Sequence, residues 1–314
     1  MKANLKKSKR IVQDIIVNED QFGHWGDPEN EKFFHPKPKV LNIFPIEGKP
    51  EKLAEEVLKR DLSNVLKFRF DPVNVCNLSC VFCTTDLRAK HAQISKNALE
   101  KILSRISKTC RRVSIGCSYE PLMAKDIDDY LKITEKYIKE KFEFKPTVTM
   151  ITNGLLLEKR NLQNLNFLDW IHISVHSHLK ENFEKIERKA KFETLVSGIK
   201  DIRSRFKDLN IHIEFVANDK NKNDVEGFIP WAFNELKVDS INIRRVTTSS
   251  YAPRSFLEES LNNNVTIGVT DEDWSEIQKK VTKSWPSELS NTPSFNSDEQ
   301  ILKKQATTET IELG

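Results

Sequence analysis

Three of the five cysteines in this 314-residue chain lie within one stretch of eight residues. They are Cys76, Cys80 and Cys83 in "NVCNLSCVFC", and their spacing is C-x3-C-x2-C. Thiolates are the protein ligands of iron–sulfur clusters, so three of them on one loop can hold three corners of a four-iron cluster. The fourth iron then lacks a protein ligand and can bind a substrate or cofactor, as the open position of a catalytic zinc does.

The same cysteines can instead belong to a structural zinc site. Such a site needs a fourth ligand, which His91 or Cys117 would supply. Structural zinc usually uses paired C-x2-C motifs, whereas Cys80 and Cys83 form the one pair of that spacing in this chain. The spacing therefore favours the cluster and leaves zinc as the alternative.

The cysteine loop follows the first of six short apolar runs that are bounded by turn residues and predict strands. The runs are "LKFRFD", "RRVSIG", "TVTMIT", "WIHISV", "IHIEFVA" and "SINIRRV". Alternation of such runs with helices indicates parallel βαβ units, whose active sites lie at the carboxyl ends of the strands. The alternation spans about 180 residues, short of the roughly 250 of an eightfold barrel. A partial barrel and a doubly wound sheet both fit this length.

Apolar residues at helical spacing predict the segments that connect the strands. The first connecting helix begins after Ser95, a favourable N-cap residue. The predicted helices are "KNALEKILSRI", "MAKDIDDYLKITEKYI", "RNLQNLNFL", "FETLVSGIKDIRSRF" and "DVEGFIPWAFNEL", with "KPEKLAEEVLKRDL" before the strands and "VTDEDWSEIQKKV" after them.

These patterns divide the chain into three segments. Residues 1–64 form an N-terminal extension, residues 65–249 the α/β core, and residues 250–314 a C-terminal segment. We expect this last segment to be partly flexible, because from Ser284 onward it is rich in Ser, Thr, Asn and Pro. The two outer segments flank the core in sequence and are candidate lids for it.

The composition restricts the partners and the location of the protein. The formal net charge of +4 is spread along the chain, so the sequence carries no clear nucleic-acid signal. No apolar segment follows the basic start "MKANLKKSKR", and no run of 18 apolar residues exists, so we expect neither a signal peptide nor a membrane span. These features predict a cytoplasmic protein.

The stretch "CNLSCVFC" resembles the signature of the radical S-adenosylmethionine (radical SAM) superfamily, with Phe82 at its aromatic position. The resemblance continues through the later strand ends, over residues 66–245. It implies a partial (β/α)6 TIM-like barrel and a [4Fe–4S] cluster bound by Cys76, Cys80 and Cys83. No cysteine follows Cys117, so no cysteine-rich C-terminal domain with auxiliary clusters is expected.

The resemblance also implies an activity. S-adenosyl-L-methionine chelates the fourth iron, and an electron from the cluster cleaves it to give a 5′-deoxyadenosyl radical that abstracts hydrogen from a substrate. The electron donor would be a protein such as flavodoxin or ferredoxin, and the substrate, whether peptide, sugar or small metabolite, is not readable from the sequence. A non-catalytic zinc- or cluster-binding scaffold is the alternative.

The second strand ends in "SIGCSYEPLM", which resembles the family's Gly-Gly-Glu-Pro region. Gly116, Ser118 and Glu120 would receive the amino-acid end of the cofactor there. Tyr119 stands where a glycine commonly precedes the Glu, which departs from the family pattern. The competing explanation is an ordinary strand-to-helix loop with Pro121 near the helix start.

The remaining strand ends supply further cofactor contacts by the same resemblance. Thr152 and Asn153 of "MITNGLLL" face the barrel mouth, Ser174 and His176 hold the ribose, and Phe82 contacts the adenine. Asn218 follows the fifth strand as a polar contact, and either Arg244 or Arg245 of the sixth strand faces the mouth. The alternating histidines in "WIHISVHSH" offer a competing zinc site: His172, His176 and His178.

Overall fold

The computed structural model describes residues 16–18, 39–43, 57–59, 62, 65–83, 91–142, 144–246, 268–284 and 294–296. The predicted helix from residue 49 lies mostly outside the described residues. The basic start of the chain and most of the segment after residue 284 also lie outside them.

Nine parallel strands form one sheet in the order β2-β3-β4-β5-β6-β7-β8-β1-β9. The six central strands match the six predicted runs, and β1, β2 and β9 extend the sheet at its two sides. The strands are β1 (Ile16–Asn18), β2 (Lys39–Ile43), β3 (Val65–Phe70), β4 (Arg112–Ile115), β5 (Thr147–Thr152), β6 (Trp170–Ser174), β7 (Asn210–Ala217), β8 (Ser240–Arg245) and β9 (Ser294–Asn296).

Helices connect the central strands except β5 and β6, and one more helix follows β8. The Ser95 side chain caps α1 by accepting a hydrogen bond from the N–H of Ala98 (3.1 Å), as its sequence position predicts. The helices are α1 (Lys96–Arg105), α2 (Ile127–Lys141), α3 (Lys180–Ile186), α4 (Phe192–Arg205), α5 (Val225–Trp231), which continues as a π-helical turn (Ala232–Leu236), and α6 (Asp271–Ser284).

The two faces of the sheet differ sharply in chemistry. One face is apolar and fully buried in the core with the helices, through residues such as Phe68, Ile115, Met150, Ile213 and Ile243. The alternate residues, which point to the other face because side chains alternate along a strand, are mostly polar or charged. They include Lys67, Arg69, Arg112, Ser114, Thr149, His172, Ser174, His212, Glu214, Ser240, Asn242 and Arg244.

The strand order decides between the two folds that the sequence left open. Strands β3 to β8 follow one another across the sheet without a reversal, and all neighbouring strands are parallel. Right-handed crossovers in a constant direction place all the connecting helices on one face. A doubly wound sheet would need a reversal and an apolar second face. The fold is therefore an open α/β sheet of the partial-barrel type, as the resemblance implied.

The helix predicted over "RNLQNLNFL" is wrong, because only a 3₁₀ turn (Leu165–Phe167) forms there. The carboxylate of Asp128 on α2 accepts hydrogen bonds from the backbone N–H groups of Gln163 (3.0 Å) and Asn164 (3.1 Å) and from the Asn164 side chain (2.8 Å). These bonds hold the backbone donors in a loop rather than in a helix.

Helix α2 begins four residues later than predicted, because a 3₁₀ turn (Pro121–Met123) precedes it. The segment after residue 250, predicted to be partly flexible, contributes α6 and β9 among its described residues. The division of the chain at residues 64 and 250 stays a prediction. Every helix in the described part of the chain is too short or too polar to span a bilayer.

Candidate active site

The cysteine loop follows β3 at the carboxyl edge of the sheet. Cys76, Cys80 and Cys83 are half-buried, and none of them forms a disulfide. The loop's backbone pairs with the end of α3, where the N–H of Val81 donates to the carbonyl of Ile186 (3.0 Å). Backbone hydrogen bonds therefore determine where the three thiols lie.

The three thiols lie close enough to affect one another. Burial, the largest cause, raises the pKa of Cys76 to about 12 and the pKa of Cys80 well above its ordinary value, and the charge of the Cys83 thiolate adds to both rises. Within the described residues, the sulfur atoms of the three cysteines do not form a group close enough to bind a single metal ion. A buried set of thiolates needs positive charge to stabilise it, and iron supplies that charge. The donor set fits an iron–sulfur cluster.

Among the described residues, neither of the two residues considered as a fourth zinc ligand forms a metal-binding group with the three cysteines. His91 is exposed. Cys117 lies just after β4, where burial raises the pKa of its thiol, the charge of Asp71 adds to the rise, and Arg69 opposes it. The described residues thus offer no support for a zinc site completed by either side chain.

Asp71, at the end of β3, organises the loop that follows β4. Its Oδ1 accepts hydrogen bonds from the backbone N–H groups of Cys117 (2.8 Å), Ser118 (3.3 Å) and Tyr119 (3.2 Å). Burial raises the pKa of Asp71 to about 6, and these hydrogen bonds oppose the rise. The backbone N–H of Ser118, a residue predicted to bind the cofactor, therefore has a partner within the protein. The sequence analysis did not identify Asp71 as a site residue, although its position directly after a predicted strand would have indicated it.

Gly116 begins the same loop in a conformation that other residues rarely adopt. Its φ is +76°, and a Cβ at this position would lie 2.5 Å from the carbonyl oxygen of Ile151. The backbone of β4 and that of β5 therefore approach each other closely at the mouth. Only glycine fits this approach without displacement of the neighbouring strand.

Glu120 is buried, and its carboxylate connects β4 to β5. Oε1 accepts hydrogen bonds from the Leu122 N–H (2.9 Å) and the Thr152 hydroxyl (2.7 Å), and Oε2 accepts one from the Asn153 N–H (2.7 Å). Burial raises the pKa of Glu120 to about 7, and these bonds oppose the rise. An ionised carboxylate accepts about four hydrogen bonds, so Oε2 keeps room for one further donor. Pro121 begins the 3₁₀ turn after Glu120, as the strand-to-helix explanation required.

Asn153 connects β5 to the cysteine loop. Its Nδ2 donates to Asn77 Oδ1 (2.8 Å) and lies 3.6 Å from the sulfur of Cys76, while its Oδ1 accepts from the Leu155 N–H (3.2 Å). The resemblance assigned this residue to the cofactor, and the structure places it beside a predicted cluster ligand.

His176 is buried behind Phe82. The two rings meet edge to face with their centroids 4.8 Å apart. Nδ1 of His176 accepts the Val216 N–H (3.1 Å), and Nε2 lies 3.9 Å from Glu187 Oε1. Burial lowers the pKa of His176 to about 3, so the ring is neutral and carries its proton on Nε2. Both ring nitrogens of His176 thus face protein groups. Ser174, at the end of β6, is half-buried.

Glu187 is a buried carboxyl group that the sequence analysis missed. Burial raises its pKa well above the ordinary value, and the backbone N–H of His176 opposes the rise. Its charge in turn raises the pKa of Cys80. The sequence around Glu187, a helical stretch rich in charged residues, did not indicate that this carboxyl group is buried, because acidic residues are mostly exposed.

Asn218 is fully buried, and its polar groups bond within its own loop. Its N–H donates to Asn221 Oδ1 (2.7 Å), its Nδ2 to the Val216 carbonyl (3.1 Å), and its Oδ1 accepts from the Lys220 N–H (3.0 Å). The cofactor contact predicted for Asn218 stays a prediction, because the side chain shapes the β7 loop in this structure.

The three histidines proposed as a zinc site do not come together. The ring of His172 packs against His212 (4.6 Å between centroids), whereas His178 lies near Trp231 (6.2 Å) and His176 near Phe82. That alternative is wrong, because only His172 lies within a strand while the other two follow its end.

The two arginines of β8 point to opposite faces. Arg244 lies on the polar face, with its Nε 4.0 Å from Glu214 Oε2, and Arg245 pairs with Asp271 of α6. Of the two arginines between which the sequence did not decide, Arg244 is therefore the one on the polar face.

Comparison with known proteins identifies the family. A model described as "Radical SAM superfamily" matches residues 71–232, slightly more than half of the chain. The chain therefore belongs to the radical SAM superfamily, whose members use a [4Fe–4S] cluster and S-adenosylmethionine. The matched region contains the cysteine loop and the ends of β4 to β7.

Curated relatives are similar to the chain over part of its length. A "Probable GTP 3′,8-cyclase" from Saccharolobus islandicus is 26% identical over 180 residues, which cover 56% of this chain and 55% of the relative. A protein of the same description from Sulfurisphaera tokodaii is 27% identical over 186 residues, covering 54% and 52%. The chain thus matches slightly more than half the length of these relatives.

Among solved structures, that of Streptococcus suis SuiB resembles this fold with a TM-score of 0.54. The match is 15% identical in sequence and covers 79% of this chain and 54% of SuiB. Similarity at this level of identity supports the fold alone.

Proposed function

We propose that Cys76, Cys80 and Cys83 hold a [4Fe–4S] cluster and that the chain is an enzyme that cleaves S-adenosylmethionine reductively. When bound, the cluster and cofactor supply a 5′-deoxyadenosyl radical for hydrogen abstraction. The observation that carries the proposal is the loop of three half-buried, mutually close thiols at the carboxyl edge of a parallel sheet. The family membership of the chain supports it.

The residues around the loop have separate tasks in this proposal. Glu120 accepts the cofactor's ammonium group at the remaining acceptor position of Oε2, and Gly116 lets the backbone approach that end of the cofactor. Ser174 contacts the ribose. Phe82, supported from behind by His176, presents its ring to the adenine.

The substrate and the reaction subclass stay open in this proposal. Relatives described as probable GTP 3′,8-cyclases match about half their length at 26% identity, which is too little to transfer a substrate. An electron donor such as flavodoxin or ferredoxin is part of the proposal, and the cytoplasmic location stays a prediction from the sequence. The polar face of the sheet is the surface against which a substrate would lie.

Metal analysis of anaerobically purified full-length protein tests the ligand assignment. We expect about four irons and four sulfides per chain in the wild type and loss of both in Cys80→Ala, because a cluster with two thiolate ligands is released. Cys110→Ser and Cys117→Ser are matched controls that should keep the iron. Stoichiometric zinc without sulfide in the wild type, or equal iron loss in Cys117→Ser, would overturn the assignment.

A further inference from the structure

A second group of side chains with metal-ligand atoms lies on the polar face of the sheet, and none of its members belongs to the cysteine loop. His172 on β6 is paired in register with His212 on β7, and Glu214 follows His212 on the same face. Among the described residues, these three form a group whose ligand atoms all lie within 4.8 Å of one another. No task in the proposed function uses them.

The distances within this group suit a single ion. Nδ1 of His172 lies 3.5 Å from Glu214 Oε1, and Nε2 of His212 lies 3.3 Å from the same oxygen. Ligand atoms bound at about 2.0–2.2 Å in a tetrahedron lie roughly 3.3–3.6 Å apart. If the two nitrogens are at the 4.8 Å limit, they must approach each other by roughly 1.2–1.5 Å to bind one ion in a tetrahedron.

Neighbouring side chains orient two of the three candidate ligands. His212 Nδ1 lies 2.6 Å from the hydroxyl of Ser240, which leaves Nε2 directed at Glu214. Asn242 Nδ2 donates to Glu214 Oε2 (2.8 Å), which leaves Oε1 directed at the histidines. Metal-binding histidines and carboxylates are typically held by such outer hydrogen bonds.

The charge states of the group also suit coordination. A neutral imidazole has one lone pair, so each ring can bind an ion through the nitrogen that faces Glu214 when the ring proton is on the other nitrogen. Two neutral imidazoles and one carboxylate are the protein ligands of a known class of catalytic zinc sites.

Two arginines face the group and act against a cation. The positive charge of Arg112 lowers the pKa of His172, and Arg244 lies 4.0 Å from Glu214 Oε2. Their charges weaken the binding of a bare cation. The same charges attract an anionic group to the open position of a bound metal. A hydrogen-bonded network without metal is the competing explanation.

We propose that His172, His212 and Glu214 bind one divalent metal ion of the zinc type on the polar face of the sheet, separate from the cysteine-bound cluster. The open position of this ion takes an anionic oxygen, a carboxylate or phosphate, of the substrate. The substrate part rests on the proposed radical SAM function, whereas the metal part stands on the geometry of the three side chains.

Zinc binding to the full-length protein with its reconstituted cluster tests the proposal. After anaerobic equilibrium dialysis against zinc, we expect one zinc per chain in addition to the cluster iron. Glu214→Gln and His212→Gln should weaken zinc binding by more than the roughly 10–100-fold that loss of an outer hydrogen bond costs, and Ser240→Ala by an amount within that range. His91→Gln removes an exposed histidine and is the matched control, which should bind zinc as the wild type does.

The iron and sulfide contents of the same samples separate this proposal from the proposed function. Unchanged cluster content shows that each variant has folded. Wild-type protein that holds its cluster but binds zinc no more tightly than Glu214→Gln would overturn the metal site and leave the proposed function standing. A variant with alanine at Cys76, Cys80 and Cys83 should lose the cluster yet still bind zinc, and that zinc should disappear when Glu214→Gln is added.

Discussion

Two buried carboxyl groups at the mouth, those of Glu120 and Asp71, bind neighbouring strand ends through hydrogen bonds within the protein itself. Glu120 accepts three hydrogen bonds from Leu122, Thr152 and Asn153. Asp71 accepts three hydrogen bonds from backbone N–H groups of the loop after β4. Charged groups positioned by the protein itself need no reorganisation when a ligand binds.

Cofactor affinity tests the task of Glu120 and of Ser174. Because a hydrogen bond to a charged partner contributes about 1.5–3 kcal/mol, we expect Glu120→Gln to weaken S-adenosylmethionine binding by roughly ten- to hundredfold. Ser174→Ala removes a hydrogen bond between neutral groups, which contributes about 0.5–1.5 kcal/mol, so we expect it to weaken binding by roughly two- to tenfold. Calorimetric titration of the reconstituted protein measures this, with iron content as the folding check. Glu135→Gln on the outer side of α2 is the control, and wild-type affinity in both test variants would remove these two contacts.

The stability of the cluster-free protein should depend on pH through Glu120. The unfolded chain releases this proton near pH 4.5, whereas the folded protein keeps it up to about pH 7. Between those values the folded state binds more protons, so the free energy of unfolding falls as the pH rises. We expect the wild type to lose about 2 kcal/mol relative to Glu120→Gln between pH 5 and 7.5.

Urea denaturation of the wild type and Glu120→Gln at several pH values measures that difference. Subtracting one free energy of unfolding from the other at each pH removes the contributions of all other titrating groups. Glu135→Gln should follow the wild type. Parallel curves for wild type and Glu120→Gln would show that Glu120 is ionised in the fold throughout this range.

At the scale of elements, the close approach of β4 and β5 depends on Gly116. A left-handed conformation costs other residues about 1–2 kcal/mol, and the Cβ of Gly116→Ala would also lie 2.5 Å from the Ile151 carbonyl oxygen. We therefore expect Gly116→Ala to lower the free energy of unfolding by about 2 kcal/mol or more.

Gly198→Ala on α4 provides the comparison for this measurement. Its Cβ would lie 3.2 Å from Leu157 Cβ, and the helical backbone accepts alanine, which gains about 1 kcal/mol in helix propensity. Denaturation curves should show the smaller loss for Gly198→Ala. Equal losses at the two positions would show that backbone conformation at Gly116 is not the constraint.

Element prediction succeeded where the apolar pattern was continuous. All six central strands and α1, α4 and α6 lie within a few residues of their predicted positions. The segment "RNLQNLNFL" failed because Asp128, 35 residues away from Gln163 in sequence, captures its backbone donors. The strands β1 and β9 have three residues each, too few to carry a periodic signal.

At the scale of the whole molecule, the sheet separates packing from chemistry. Its helix-facing side is the core, and its other side carries the histidines, arginines and carboxylate that a substrate would meet. The sequence predicted the residues at the carboxyl edge because the family motif identifies strand ends. It did not predict that His172, His212 and Glu214 meet, because that contact depends on the register between β6 and β7.

Formation of 5′-deoxyadenosine tests the central claim most directly. Full-length protein with a reconstituted cluster is incubated anaerobically with S-adenosylmethionine and dithionite, and the products are quantified by mass spectrometry. The account predicts 5′-deoxyadenosine and methionine in equal amounts from the wild type and neither from Cys80→Ala. A wild-type protein that holds four irons and binds S-adenosylmethionine, yet forms no 5′-deoxyadenosine, would contradict it.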